Sequence, residues 1–103
     1  MYKICFFVPE DHAEQTKAAV FEAGGGKIGD YDCCAWQTRG EGQFRPLDGS
    51  QPFLGQQGEI ERVSEFRVEL VCEDHLIQAV VDALKAGHPY EEPAYEVYRM
   101  EDF

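Results

Sequence analysis

The sequence predicts an α+β fold, a ferredoxin-like βαββαβ sandwich with a β-hairpin and loop extension between its two halves. The first observation behind this is an internal repeat. Val8-Pro9-Glu10-Asp11-His12 lies over Val71-Cys72-Glu73-Asp74-His75 at a fixed offset, with Gln15 over Gln78 and Ala23-Gly24 over Ala86-Gly87. The second is that the apolar period in each copy changes from two residues to about 3.6, as a strand followed by a helix requires.

The elements follow in order. Tyr2 to Val8 alternates as a strand. Asp11 is placed to cap a helix, with Glu14 three residues on, and Gly24-Gly25-Gly26 ends that helix. Asp32 to Arg39 is the strand that closes the first half. In the second half, Phe66, Val68, Leu70 and Cys72 share one strand face against Glu65, Arg67 and Glu69. Leu76, Ile77, Val80, Val81 and Leu84 then form a helical stripe that Gly87 closes, and Ala94 to Arg99 is the last strand. Between the halves, Arg39-Gly40-Glu41-Gly42-Gln43 reads as a turn and Phe44-Arg45-Pro46 as a short edge strand. Gly49 to Gly58 reads as an irregular loop, with Trp36, Phe44, Leu47, Phe53 and Leu54 as its anchors.

Two helices cover one face of a four-stranded sheet. If Ile4, Phe6 and Val8 point at the helices, the other face carries Lys3, Cys5 and Phe7 with part of the Cys33 to Gln37 strand. Cys5 and Phe7 are too apolar for open water, so a homo-oligomer is expected.

At 103 residues the chain fits a single domain, residues 1–103, with one packed core. Its 44% hydrophobic content places it among globular chains. The formal charge of -11 and the absence of a basic stripe argue against a nucleic-acid partner and favour cations or basic protein surfaces. No apolar run approaches the length of a membrane span or a signal-peptide core, which makes the cytoplasm the default location and excludes a membrane partner. Cys33 and Cys34 are adjacent on the expected strand and point to opposite faces, while Cys5 and Cys72 lie in apolar patterns. Reduced, partly buried thiols fit this better than disulfides, and no Cys-x-x-Cys pair suggests a zinc ribbon or redox site.

Chemistry concentrates in His88-Pro89-Tyr90-Glu91-Glu92-Pro93-Ala94-Tyr95. Each proline fixes its own φ and keeps the preceding residue extended, so His88 and Glu92 sit in a stiff connection outside any helix. Imidazole and carboxylate are ligands for a divalent metal ion, with His88 and Glu92 the candidate pair. The bland reading is a hydrogen-bonded connection in which Glu91 or Glu92 accepts from nearby amides and Tyr90 packs against a neighbouring subunit. His12 and His75 fall at matching helix starts and read as helix N-terminal residues. Gly24-Gly25-Gly26-Lys27-Ile28-Gly29 ends a helix instead of opening one, so it is a cap and turn in place of a phosphate cradle. No nucleophile is paired with a base, and Glu91 and Glu92, as neighbours in an extended segment, point apart. No catalytic residue is assigned, and the reading leans against an enzyme.

Gly26-Lys27-Ile28-Gly29-Asp30-Tyr31, Cys34, Gly40 to Pro46, Gly49, Pro52-Phe53-Leu54-Gly55, Gly58, Glu61, Glu65 and His88 to Tyr95 together resemble the YqfO module, the inserted domain of many bacterial NGG-interacting-factor proteins with a dinuclear metal centre. The final segment also resembles the Tyr-Glu-x-Pro motif of CutA divalent-cation-tolerance proteins. The resemblance implies a CutA/PII-like trimer. In the full-length relatives the two metals are held in the halves flanking this insert, so the resemblance does not bring hydrolase or cyclohydrolase activity to these residues.

The functional expectation is an oligomeric, trimeric binding or regulatory module that takes a divalent cation or small ligand in subunit clefts. The clefts are formed by the Gly40 to Gly58 and His88 to Pro93 loops, with His88, Tyr90, Glu91, Glu92, Phe44 and Arg45 as ligand-binding residues. Two alternatives stand beside it: a metal-dependent hydrolase using His88 and Glu92 at a subunit boundary, and an interaction module that docks on a larger protein partner.

Overall fold

The computed structural model describes residues 1–103. Strand β1 (Tyr2–Pro9) leads through one 3-10 turn into helix α1 (Ala13–Glu22), and a loop then reaches β2 (Trp36–Phe44). Strand β3 (Glu61–Cys72) leads through a matching 3-10 turn into α2 (Ile77–Gly87), and a second loop reaches β4 (Tyr95–Arg99). The sheet order is β2-β3-β1-β4 and every pairing is antiparallel. Each half is thus a βαβ unit whose two strands are separated by one strand of the other half. This is the ferredoxin-like sandwich that the repeat predicts.

The core lies between the helices and one sheet face. The register sets Ile4 opposite Leu70, Phe6 opposite Val68 and Val8 opposite Phe66. Ile4, Phe6, Val8, Val68, Leu70 and Cys72 join Ala13, Val20, Val80 and Leu84 in one buried cluster, with Phe66, Leu76, Ile77 and Tyr95 packed against it. Side chains on a strand alternate between faces, so this assignment fixes the other face as well. There Cys5 pairs with Glu69 and Glu96, and Phe7 with Arg67. Cys5 is fully buried on this face even without helices over it, and burial pushes its thiol pKa up. The Arg67 guanidinium covers the Phe7 ring, 5.9 Å from its centroid.

Several boundaries differ from the sequence reading. Asp11 does not cap α1: it lies in the preceding 3-10 turn, and His12 occupies the cap position without a side-chain hydrogen bond. Asp32 to Ala35 are not strand, and Cys33 takes a left-handed φ of 54°, so the two adjacent cysteines sit in a loop with Cys33 exposed. The cause is a backbone clip. Gly26 donates to the Val71 carbonyl at 2.8 Å and accepts from the Cys34 amide at 2.8 Å, which holds the chain away from the sheet until Trp36. Gly26 has a φ of 77°, and a Cβ there would press on the Cys34 carbonyl and the Phe21 ring.

The largest difference concerns the expected turn at Arg39 to Gln43. These residues remain in β2, with Gly40 opposite Glu65, Glu41 opposite Ser64 and Gly42 opposite Val63. The strand runs on to Phe44 opposite Glu61, and there is no separate edge strand at Phe44-Arg45-Pro46. Local glycine content suggests a turn, but twelve residues of β3 offer a continuous template, and the ladder overrides propensity. The paired strands thus project past the sandwich as a two-stranded arm, and the molecule measures 46 × 24 × 24 Å.

Candidate functional site in a cleft between two loops

The cleft is built where this arm meets the loop after α2. Gly87 ends α2, and His88 leaves it in an extended conformation with φ -87° and ψ 140°, as a residue before proline prefers. His88 is buried. Its Nε2–H donates to the Phe7 carbonyl at 2.6 Å, and its Nδ1 accepts from the Tyr90 amide at 3.0 Å. Nε2 therefore holds the loop to β1 and Nδ1 fixes the turn within the loop, in the neutral tautomer that this pattern of partners requires. Burial holds its pKa below the ordinary value, and the nearby His12 lowers it further, while the bond to Phe7 works in the opposite direction.

This anchor turns Tyr90 toward the arm. Its ring lies edge-on to Phe44 at 5.5 Å and tilted against Phe53 at 6.5 Å, and Phe53 in turn meets the edge of His12 at 5.1 Å. The Tyr90 hydroxyl donates to Glu65 Oε2 at 3.0 Å. Glu65 is on the sheet face away from the helices, yet it is only 8% exposed. Gly42 makes room for it, since a Cβ on Gly42 would collide with the Glu65 carboxylate. Burial raises the Glu65 pKa, opposed by the Tyr90 hydrogen bond, and burial beside Glu65 pushes the Tyr90 phenol well above its usual range. Glu91 Oε1 accepts from the Gln51 amide at 3.3 Å and ties the two loops together.

The resulting cleft has a volume of about 390 Å³. Phe7, Phe44, Pro46, Leu47, Pro52 and Phe53 supply apolar walls, Glu65, Glu91 and Glu92 supply carboxylates, and Arg45 supplies the one basic group. Both loops belong to the same chain, so the concavity exists without a second subunit. Of the six residues that the sequence singled out, Phe44, Arg45, Tyr90, Glu91 and Glu92 line it. His88 does not; it stands in the wall behind Tyr90. Among the proposed loop anchors, Phe44 and Phe53 pack on Tyr90, whereas Trp36 is 60% exposed and lies outside the cleft. Sequence reasoning missed Glu65, which alternation places with Arg67 and Glu69 on a solvated face. The available signal was Gly42, whose absent side chain leaves space beside a neighbouring strand.

A divalent ion at His88 and Glu92 would compete with bonds that the protein already makes. Coordination by His88 requires breaking one of its two bonds within the protein, and no three His, Cys, Asp or Glu side chains converge on a common point. No helix is long and apolar enough to cross a membrane.

No protein-family model matches the chain. Curated relatives named GTP cyclohydrolase 1 type 2 homolog are 49% identical over 98 residues in Mycobacterium leprae and 46% identical over 99 residues in Bacillus subtilis, covering 95% and 96% of this chain. The chain spans only 26% of each of those relatives. Among solved structures, a Bacillus cereus protein related to NIF3 superposes with a TM-score of 0.83 at 39% identity, over 98% of this chain and 26% of that one. CutA1 from Pyrococcus horikoshii superposes with a TM-score of 0.71 at 18% identity, over 100% of this chain and 86% of that one, a likeness of fold alone. The sandwich, its arm and these matches agree: the chain has a CutA-like fold and corresponds to about a quarter of the length of these cyclohydrolase-homolog and NIF3-related proteins.

Proposed function

We propose that the chain is a trimeric binding or regulatory module without catalysis of its own, and that a small ligand enters the cleft between the arm and the His88 to Pro93 loop. The observation that carries this reading is the cleft itself, a concavity of about 390 Å³ with aromatic walls and a few convergent polar groups, within the size range of small-molecule sites. A divalent ion is the weaker form of the reading, because His88 already has a partner for each ring nitrogen.

Self-association is supported by the sheet face without helices. It presents Trp36 at 60% exposure and Tyr98 at 50% exposure, and cover from further copies removes this apolar surface from water. Amide NMR of the labelled full chain against a panel of cationic, neutral and anionic fragments, with magnesium and zinc as separate arms, tests the binding claim. Saturable shifts confined to the cleft are expected, and their absence throughout the panel rejects the reading. The trimer is tested by sedimentation, which should give about three times the 11.7 kDa chain mass; a stable monomer rejects it.

A further inference from the structure

Building on the cleft as a binding site, we infer that its ligand is a small organic cation, a protonated amine or amidine on an apolar body, whose N–H groups bond the free oxygen of Glu65 while the body lies against Tyr90, Phe44 and Phe53. The first support is the state of Glu65. One carboxylate oxygen accepts from Tyr90, whereas the other has no donor in the protein and is not sealed from the cleft. A carboxylate that is 8% exposed and holds one neutral hydrogen bond is poorly compensated, and an N–H cation supplies both the missing donor and the missing charge. The missing side chain of Gly42 leaves the space that this oxygen occupies.

The second support is the lining. Tyr90 and its two aromatic neighbours, at centroid separations of 5.5 and 6.5 Å, form an aromatic lining, and the face of such a ring attracts a cation through its π electrons. The third is charge. Three carboxylates face one arginine in the cleft, on a chain of net charge -11, so the local balance of charge favours a cationic over an anionic ligand. A bare metal ion is disfavoured because it needs several oxygen or nitrogen ligands at one point, and no three acidic, histidine or cysteine side chains provide them.

The test is a charge series on one scaffold with the wild-type full chain: phenethylammonium, phenethyl alcohol and phenylacetate, each titrated while the amides of Glu65, Tyr90 and Phe53 are followed by NMR. The ammonium should bind at least tenfold more tightly than the alcohol, and phenylacetate should bind least. Glu65→Gln keeps the shape and removes the charge, and should bring the ammonium down to the affinity of the alcohol. If the alcohol or phenylacetate binds in the cleft as well as the ammonium does, the cation assignment is wrong while the binding site stands. If none of the three gives a saturable cleft shift, both are wrong. Should the variant fail to fold, the wild-type series decides alone.

Discussion

The two halves of this chain begin alike and end differently, and the histidines at their helix starts show how. His12 and His75 both follow a Glu-Asp pair and both lie in a 3-10 turn before a helix, but His12 closes its turn whereas His75 is the middle residue of a turn that Leu76 closes. The helix start is therefore shifted by one residue between the halves, with His12 and Leu76 at the two cap positions. His75 is exposed and lies 3.6 Å from the Glu73 carboxylate, where solvent weakens the interaction. His12 is half-buried, touches Phe53 edge-on, and has its Nδ1 sealed from solvent without a partner. The rest of the fold also lays different cover over them. The loop after β2 covers the first half, and nothing equivalent covers the second. A repeat in sequence therefore repeats secondary structure and leaves the environment to the connections.

The residues just upstream break the comparison most sharply. Val8 and Val71 coincide in the sequence repeat, but Val8 pairs with Phe66 on the core face and Val71 with Lys3 on the opposite face. A shift of one residue in strand parity exchanges inside for outside. Val8→Ala is expected to destabilise the fold by about 2 kcal/mol, from lost burial plus the cavity left behind. Val71→Ala should cost well under about 1 kcal/mol, as a change away from the core. Denaturant melts of the two variants check this, and equal losses would show that the halves are packed alike after all.

A smaller difference is expected at the histidines. His12→Ala should lose about 1 kcal/mol through the contact with Phe53, and should speed hydrogen exchange in the loop from 49 to 58. His75→Ala should change stability by less than about 0.5 kcal/mol, the scale of an exposed pair, with no effect on that loop. Identical exchange profiles would mean that Phe53 does not hold the loop on His12.

The smallest effect is one of pH, and its sign follows from linkage. His88 resists protonation in the fold, whereas the unfolded chain takes the proton near its ordinary value of about 6.5. Its contribution to stability is complete above that pH and is lost as the pH falls below it. Glu65 acts the other way. Its pKa is raised in the fold from 4.5, so its ionisation penalises the fold as the pH rises above that value and is relieved on acidification. Melts from pH 7.5 to 5 in Glu65→Gln isolate the histidine and should show a steeper loss on acidification than wild type. A flat profile in that variant would mean that His88 is free to protonate in the folded chain.

Much of the fold was legible because hydrophobic period and glycine stops are local. The strands at Tyr2 and Phe66, the stripe from Ile77 to Leu84 and the end at Gly87 all follow from spacing. The stretch from Asp32 to Gln43 was not legible, because Gly26 clips one part of it and the β3 ladder recruits the other, both through distant backbone. Five of the six ligand-binding candidates reach the cleft, since proline-stiffened and aromatic loop residues carry their own signal. His88 looked like a ligand because its imidazole is visible in the sequence, while the Phe7 carbonyl that occupies it is eighty-one positions away.

The sequence by itself determined the duplicated strand and helix pattern, the face of each element that turns inward, and the acidic, aromatic loop chemistry, because each depends on neighbours within a few residues. Only the tertiary structure decided that β2 continues into an arm, that Glu65 is buried over Gly42 with one oxygen open, and that His88 is a strut behind the cleft. Those outcomes depend on which distant backbone satisfies a hydrogen bond and which missing side chain leaves space, and neither quantity is written in local spacing.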